Sequence, residues 1–109
     1  MDKYKNLFQE LIRGLSSIYC SDMKSIILFG SVARGTATPE SDIDIAVIIK
    51  NETSEQHSQL LDLVTDLNLK YDVVLSVLTI NADHFAKWSN VIPFYKNIQK
   101  EGIPLWKAA

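Results

Sequence analysis

Two apolar runs of strand length, joined by a turn of small residues, constrain the fold of this chain most strongly. The first run, Ser25–Phe29, is ended by Gly30, and the second, Ile43–Ile49, is dominated by β-branched side chains that favour strands. Between them Ser31 follows Gly30 as the start of a short helix, and Pro39 excludes a continuous helix across the connection. The segment therefore predicts two buried strands joined by a short helix and a loop.

The rest of the sequence adds helices around these strands. Apolar residues at spacings of three and four predict a first helix from residue 3 to about residue 20. A second long helix is opened by Thr53 and Gln56, which fit a capping box. This second helix is predicted over residues 53–69 and is followed by a third strand (72–80). A last helix (93–101) has Pro93 in its first turn and Gly102 at its end, and a short edge segment (103–106) follows it. We expect an α/β (α+β) fold, a small mixed β-sheet with helices packed on it, as one domain over residues 1–109.

Composition excludes several classes of protein. A net charge of −2 argues against a general nucleic-acid binder, which normally carries a basic field. No apolar run approaches the roughly 20 residues that cross a bilayer, so no membrane association is expected. Cys20 is the only cysteine, and the N-terminus lacks the pattern of a signal peptide, which together predict a cytoplasmic protein.

Two carboxylates at the start of the second strand are candidate metal ligands. Residues two apart in a strand point to the same face, so Asp42 and Asp44 project together. Their charges repel unless a cation lies between them, and Mg²⁺ binds through one or two carboxylates together with substrate phosphates. The alternative is an ordinary strand end with two solvated acids.

The turn before these carboxylates is suited to phosphate. Gly30 allows a close approach of the backbone to a ligand, and Ser31 offers a hydroxyl and an N–H at the start of a helix. Arg34 places a guanidinium nearby, and Gly35 ends the helix. An ordinary strand-to-helix connection is the alternative for the turn alone. The turn and the acid pair across one short loop predict a phosphate and metal site.

These residues also carry a family resemblance. Leu28-Phe29-Gly30-Ser31, Ala33-Arg34-Gly35 and Ser41-Asp42-Ile43-Asp44 resemble the signature of the DNA polymerase β-like nucleotidyltransferase superfamily. The small size points to its minimal nucleotidyltransferase (MNT) branch, which includes antitoxins of the MntA type. The closing segment 93–102 also resembles that branch, so the resemblance covers nearly the whole chain.

The resemblance implies a nucleotidyl transfer and assigns roles to the motif residues. A nucleoside monophosphate, with AMP from ATP as the expected case, passes to a hydroxyl and pyrophosphate leaves. Gly30 and Ser31, with Arg34, are expected to bind the triphosphate, and Asp42 and Asp44 to hold two Mg²⁺ ions. A third strand carboxylate completes such a site and helps to deprotonate the hydroxyl. Asp72 is the candidate for it, but the alternative register of the third strand places Ser76 there instead. The alternative role for Asp72 is that of an ordinary residue at the entry to the strand, which helps to end the preceding helix.

The resemblance also implies a partner. Larger relatives carry a helical domain that holds nucleotide and acceptor, so a second protein or a second copy of the chain is expected to complete the site. MNT proteins resemble antitoxins paired with a helical HEPN ribonuclease, which some of them modify with AMP. The alternative function is a catalytically idle MNT fold that neutralises such a partner by contact.

Overall fold

The computed structural model describes residues 4–109. In chain order the elements are α1 (Lys5–Tyr19), a 3-10 turn (Cys20–Asp22), β1 (Met23–Phe29), α2 (Gly30–Arg34), β2 (Ile43–Ile49), α3 (Ser54–Tyr71), β3 (Leu75–Asn81), α4 (Ala82–Trp88), α5 (Pro93–Glu101) and β4 (Ile103–Lys107). The predicted start of the first helix at residue 3 lies outside the described residues. Within the described range, no helix is both long enough and apolar enough to cross a membrane.

The four strands form one mixed sheet in the order β3-β2-β1-β4. β1 is antiparallel to both of its neighbours, whereas β2 and β3 run parallel. A parallel pair needs a crossover connection, and α3 supplies it. The predicted mixed sheet is confirmed, and the segment after the last helix forms its edge strand β4.

Helices cover both faces of the sheet. α1 and α3 pack together over one face, above a core that includes Leu11, Leu28 and Ile45. α4 and α5 cover the other face, where Ala46 and Ile98 belong to a smaller core. Side chains of β2 alternate between these two cores, so the central strand is buried along nearly its whole length. Asp44, which is only partly buried, is the one charged residue within it.

The third strand begins later than the sequence predicts. We expected a strand over 72–80, but α3 continues to Tyr71 and β3 starts at Leu75. Asp72 is the C-cap of α3 in the left-handed conformation, with φ 52°. Asn68 fixes the turn, because its side chain accepts a hydrogen bond from the N–H of Leu75 and its carbonyl accepts one from Val73. A helix end made by these bonds has no strong sequence signal, since neither glycine nor proline marks it.

Gly102 ends α5 as predicted, but for a reason of packing. Its φ of −70° is open to any residue, and its N–H donates to the carbonyl of Ile98 at 2.9 Å. A Cβ at this position would lie 2.5 Å from the side chain of Ile27 and 2.3 Å from the Ile98 carbonyl oxygen. The missing side chain therefore lets the chain pass closely over β1 on its way into β4.

The capping box of α3 is present and gives a first prediction. The N–H of Gln56 donates to the Thr53 hydroxyl at 3.1 Å, and the N–H of Thr53 donates to the Gln56 side chain at 2.9 Å. Thr53→Ala leaves the Gln56 N–H without this acceptor, so we expect the free energy of unfolding to fall by about 1 kcal/mol. Urea denaturation measures the change. Ser58→Ala, in the exposed interior of the same helix, is the control, and an equal loss there would contradict the prediction.

Candidate active site

The turn after β1 brings its backbone against a carboxylate of β2. Gly30, the first residue of α2, has φ 73°, a conformation that side chains other than glycine rarely adopt. Asp44 is the neighbour of Phe29 in the antiparallel register. A Cβ on Gly30 would lie 2.2 Å from Asp44 Oδ2. Only a residue without a side chain therefore allows this carboxylate to lie beside the turn.

Asp42 and Asp44 form an acid pair whose repulsion is offset only in part by Arg34 among the residues that the structure describes. Burial raises the pKa of the Asp44 carboxyl, and the negative charge of Asp42 raises it further, while the charge of Arg34 opposes them. Asp42 is exposed and lies just before β2 begins. The two charges are thus close enough for one to raise the pKa of the other, and a cation between them would remove the repulsion.

Ser31 and Arg34 both lie on α2. The carbonyl of Ser31 accepts hydrogen bonds from the N–H groups of Gly35 and Thr36, which closes the short helix. Arg34 Nη1 lies 3.6 Å from Glu101 Oε2 at the end of α5, and both side chains are about half exposed. An exposed ion pair with this separation is weak, so the Arg34 guanidinium remains available to an anion. Phosphate binding by either residue stays a prediction.

The strand beside the acid pair carries a serine. In the parallel register Asp44 pairs with Ser76, and Ile43 pairs with Leu75. Asp72 is three residues before the start of β3, in the helix cap described above. Across residues 4–109, no three histidine, cysteine, aspartate or glutamate side chains are grouped so that they could hold a metal ion. The third carboxylate expected from the resemblance stays a prediction for Asp72.

Two aromatic rings beside the turn were not identified as site residues from the sequence. Phe29 contacts Phe94 of α5 in an edge-to-face arrangement, with ring centroids 5.6 Å apart. Phe94 is 41% exposed although it is large and apolar. Only the packing of α5 on β1 places it next to the motif.

The oxygen donors present fit one magnesium ion better than a fully enclosed two-ion site. Mg²⁺ prefers carboxylate oxygens, keeps several waters and completes its shell with substrate phosphates, so Asp42 and Asp44 supply a sufficient protein share. The close fit of Asp44 against Gly30 holds one of these carboxylates at the turn. A triphosphate placed at the turn could therefore share an ion with both aspartates.

Known proteins resemble the chain along nearly all of its length. A family model described as the nucleotidyltransferase domain matches residues 9–104. The protein MJ0604 of Methanocaldococcus jannaschii, named as a candidate protein adenylyltransferase, is 39% identical over 101 residues. This match covers 90% of the present chain and 93% of that protein.

Solved structures share the fold at lower identity. A toxin–antitoxin crystal structure with AMP-PNP aligns with a TM-score of 0.64 and 24% identity, covering 93% of this chain and 73% of that one. A second structure contains a tri-AMPylated HEPN toxin of Shewanella oneidensis in complex with an MNT antitoxin. It aligns with a TM-score of 0.56 and 19% identity, covering 94% of this chain and 72% of the matched one. These similarities extend to the fold alone.

Proposed function

The chain belongs to the nucleotidyltransferase domain family, and we propose that it transfers AMP from ATP to a hydroxyl group on a partner protein. Nucleotidyl transfer is the activity of the family, while the nucleotide, the metal and the acceptor are the proposed parts. One observation carries the proposal: the Asp44 carboxylate lies directly against the backbone of Gly30, at the turn that follows β1. This contact supports the proposal because it joins the proposed metal ligand Asp44 to the turn that is proposed to bind phosphate. We also propose that one domain, over residues 1–109, carries the reaction.

In the proposed reaction the acceptor oxygen forms a bond to the α-phosphorus of ATP. The bond between the α-phosphorus and the bridging oxygen breaks, pyrophosphate leaves, and the hydroxyl proton passes to a base or to water. Mg²⁺ on Asp42 and Asp44 would neutralise charge on the phosphates. Gly30 and Ser31 would approach the triphosphate through their backbone. Arg34, whose charge lowers the pKa of Asp44, would attract the negative charge of the triphosphate.

The proposed acceptor is a helical protein of the HEPN class. Support comes from the relatives: MJ0604 is named for adenylyl transfer to protein, and an MNT antitoxin of the same fold was crystallised with an AMPylated HEPN toxin. The exposed aromatic ring of Phe94 beside the turn, and exposed Trp88 and Val91 that precede it, offer apolar surface to such a partner. A second copy of the chain is the other candidate.

The test is transfer of label from [α-³²P]ATP. The chain is incubated with Mg²⁺ and with the purified product of the neighbouring gene, and the partner is separated on a denaturing gel. We expect label on the partner that depends on Mg²⁺ and is lost in an Asp42→Asn/Asp44→Asn double variant. Absence of label with the intact chain would refute the proposal.

The same variant tests the idle binding module, which the lack of a three-carboxylate group among the described residues favours. If the double variant neutralises its partner as well as the intact chain does, contact is sufficient. If neutralisation is lost while the variant still binds, catalysis is required. A co-purification assay measures the binding.

A further inference from the structure

The two residues beside the acid pair at the start of β3, Val74 just before the strand and Ser76 within it, carry no charge. Asp44 pairs with Ser76, and the N–H of Ile43 donates to the carbonyl of Val74 at 2.9 Å, which aligns Val74 with Asp42. Opposite residues of adjacent strands share a face of the sheet. A hydroxyl and an isopropyl group therefore lie where a third carboxylate ligand would have to project from this strand.

Asp72 lies before β3, in the cap that ends α3. It lines a surface cavity together with Tyr4, Ser41, Ile43, Tyr71 and Val74. The Ile43 side chain belongs to the core beneath α1 and α3, on the face opposite to Asp44. Among the described residues, no three histidine, cysteine, aspartate or glutamate side chains are grouped so that they could hold a metal ion, and Asp72 therefore does not form such a group with Asp42 and Asp44. The left-handed backbone of Asp72 also removes it from the alternation of β3, so the spacing of four from Ser76 does not place the two on one face.

We propose, on the basis of the proposed function, that this chain binds its divalent cation with two carboxylates only, Asp42 and Asp44, and that Ser76 occupies the third-strand position of the site. Two carboxylates and the phosphates of a nucleotide suffice for one ion. A second ion, about 3.5–4 Å from the first, would find no further carboxylate grouped with this pair among residues 4–109. Asp72 is the cap of a helix and has no part in metal binding.

The test counts Mn²⁺ ions, which accept the same oxygen ligands as Mg²⁺ and can be measured directly. Equilibrium dialysis of the chain with Mn²⁺ and AMP-PNP gives the ratio of bound metal to bound nucleotide. We expect about one Mn²⁺ per nucleotide for the intact chain and for Asp72→Asn, and about two for Ser76→Asp, which adds the missing carboxylate. Ser76→Asn introduces a side chain that is equal in size to aspartate but uncharged, so this variant should retain a ratio of about one Mn²⁺ per nucleotide.

A second measurement tests the position of Ser76 without nucleotide turnover. In the absence of metal, a carboxylate at residue 76 would repel Asp44, so Ser76→Asp should melt at a lower temperature than Ser76→Asn. Mn²⁺ with AMP-PNP should then raise the melting temperature of Ser76→Asp more than that of the intact chain. Because Ser76 is exposed, both variants are expected to fold.

The outcomes separate this inference from the function on which it rests. A ratio of two in the intact chain that falls to one in Asp72→Asn would overturn it and make Asp72 the third ligand. An unchanged ratio in Ser76→Asp would also overturn it. Absence of bound Mn²⁺ in the presence of bound nucleotide would overturn the metal-dependent function itself, and this inference with it.

Discussion

Asp44→Asn is expected to reduce nucleotidyl transfer by about 10²–10³-fold or more, because it removes a preorganised charge that would hold the metal at the phosphates. The substitution keeps the size of the side chain that lies against Gly30, so the turn should be preserved. Label transfer from [α-³²P]ATP to the partner measures the loss. Asp62→Asn, which removes an exposed carboxylate from α3, should leave the rate unchanged.

The same variant should be more stable than the intact chain when no metal is present. Burial and the charge of Asp42 raise the pKa of Asp44, so its ionised form is disfavoured in the folded state. Below the ordinary aspartate pKa, Asp44 is protonated in both the folded and the unfolded chain and does not reduce the stability of the fold. As the pH rises through the raised pKa of the folded state, Asp44 ionises and the free energy of unfolding falls. At neutral pH, Asp44→Asn should therefore increase the free energy of unfolding by up to about 1 kcal/mol, and the difference should vanish near pH 3.

Denaturation in EDTA at several pH values tests this sign. Mg²⁺ with AMP-PNP should stabilise the intact chain and should stabilise Asp44→Asn much less. A variant that is less stable than the intact chain at neutral pH would contradict the prediction, because it would mean that the ionised carboxylate helps to hold the fold.

Gly30→Ala is expected to reduce both stability and activity. The left-handed backbone costs an alanine about 1–2 kcal/mol, and the new Cβ overlaps the Asp44 carboxylate, which adds about 1–3 kcal/mol of strain unless Asp44 turns away. Turning away would displace the proposed metal ligand, and a displacement of about 1 Å can reduce the rate by about 10²-fold. Urea denaturation and the label-transfer assay measure the two effects.

Gly35→Ala is the matched control. Gly35 has nearly the same positive φ, 76°, but a Cβ there would meet no atom within 4 Å. Gly35→Ala should lower the free energy of unfolding only by the cost of the left-handed backbone, about 1–2 kcal/mol, and should leave nucleotidyl transfer nearly intact. In an Asp44→Ala background, which removes the overlapping oxygen, the cost of Gly30→Ala should fall towards that of Gly35→Ala. Equal losses of activity in the two single glycine variants would show that contact with Asp44 is not the cause.

Local signals in the sequence were enough to predict most of the elements. The strands ended by Gly30 and begun at Ile43 are where they were expected, and the capping box of Thr53 and Gln56 is formed. Asp42 lies just before β2, and its charge raises the pKa of Asp44. These features depend on residues close together in the chain, so propensity and spacing predict them.

The start of β3 could not be predicted in this way, and the site depends on it. A strand that begins at residue 72 makes Asp72 and Ser76 alternative candidates for one position, and Asp72 was the residue chosen from the sequence. The hydrogen bonds made by Asn68 end α3 beyond Tyr71 and turn Asp72 into a left-handed cap. A slip of one residue in register moves every side chain of a strand to the other face, so the position of this turn decides which residue lies beside Asp44.

The sequence by itself determined the α/β fold and the strand-turn-strand segment. It also determined that an acid pair follows the glycine turn at the start of the second strand. Only the tertiary structure decided which side chains surround that pair. The parallel pairing of β2 with β3 places Ser76 beside Asp44, and the packing of α5 brings Phe94 onto Phe29 and Glu101 to Arg34. The reason is physical: these neighbours are set by strand register and helix packing between residues distant in the chain, which no local pattern encodes.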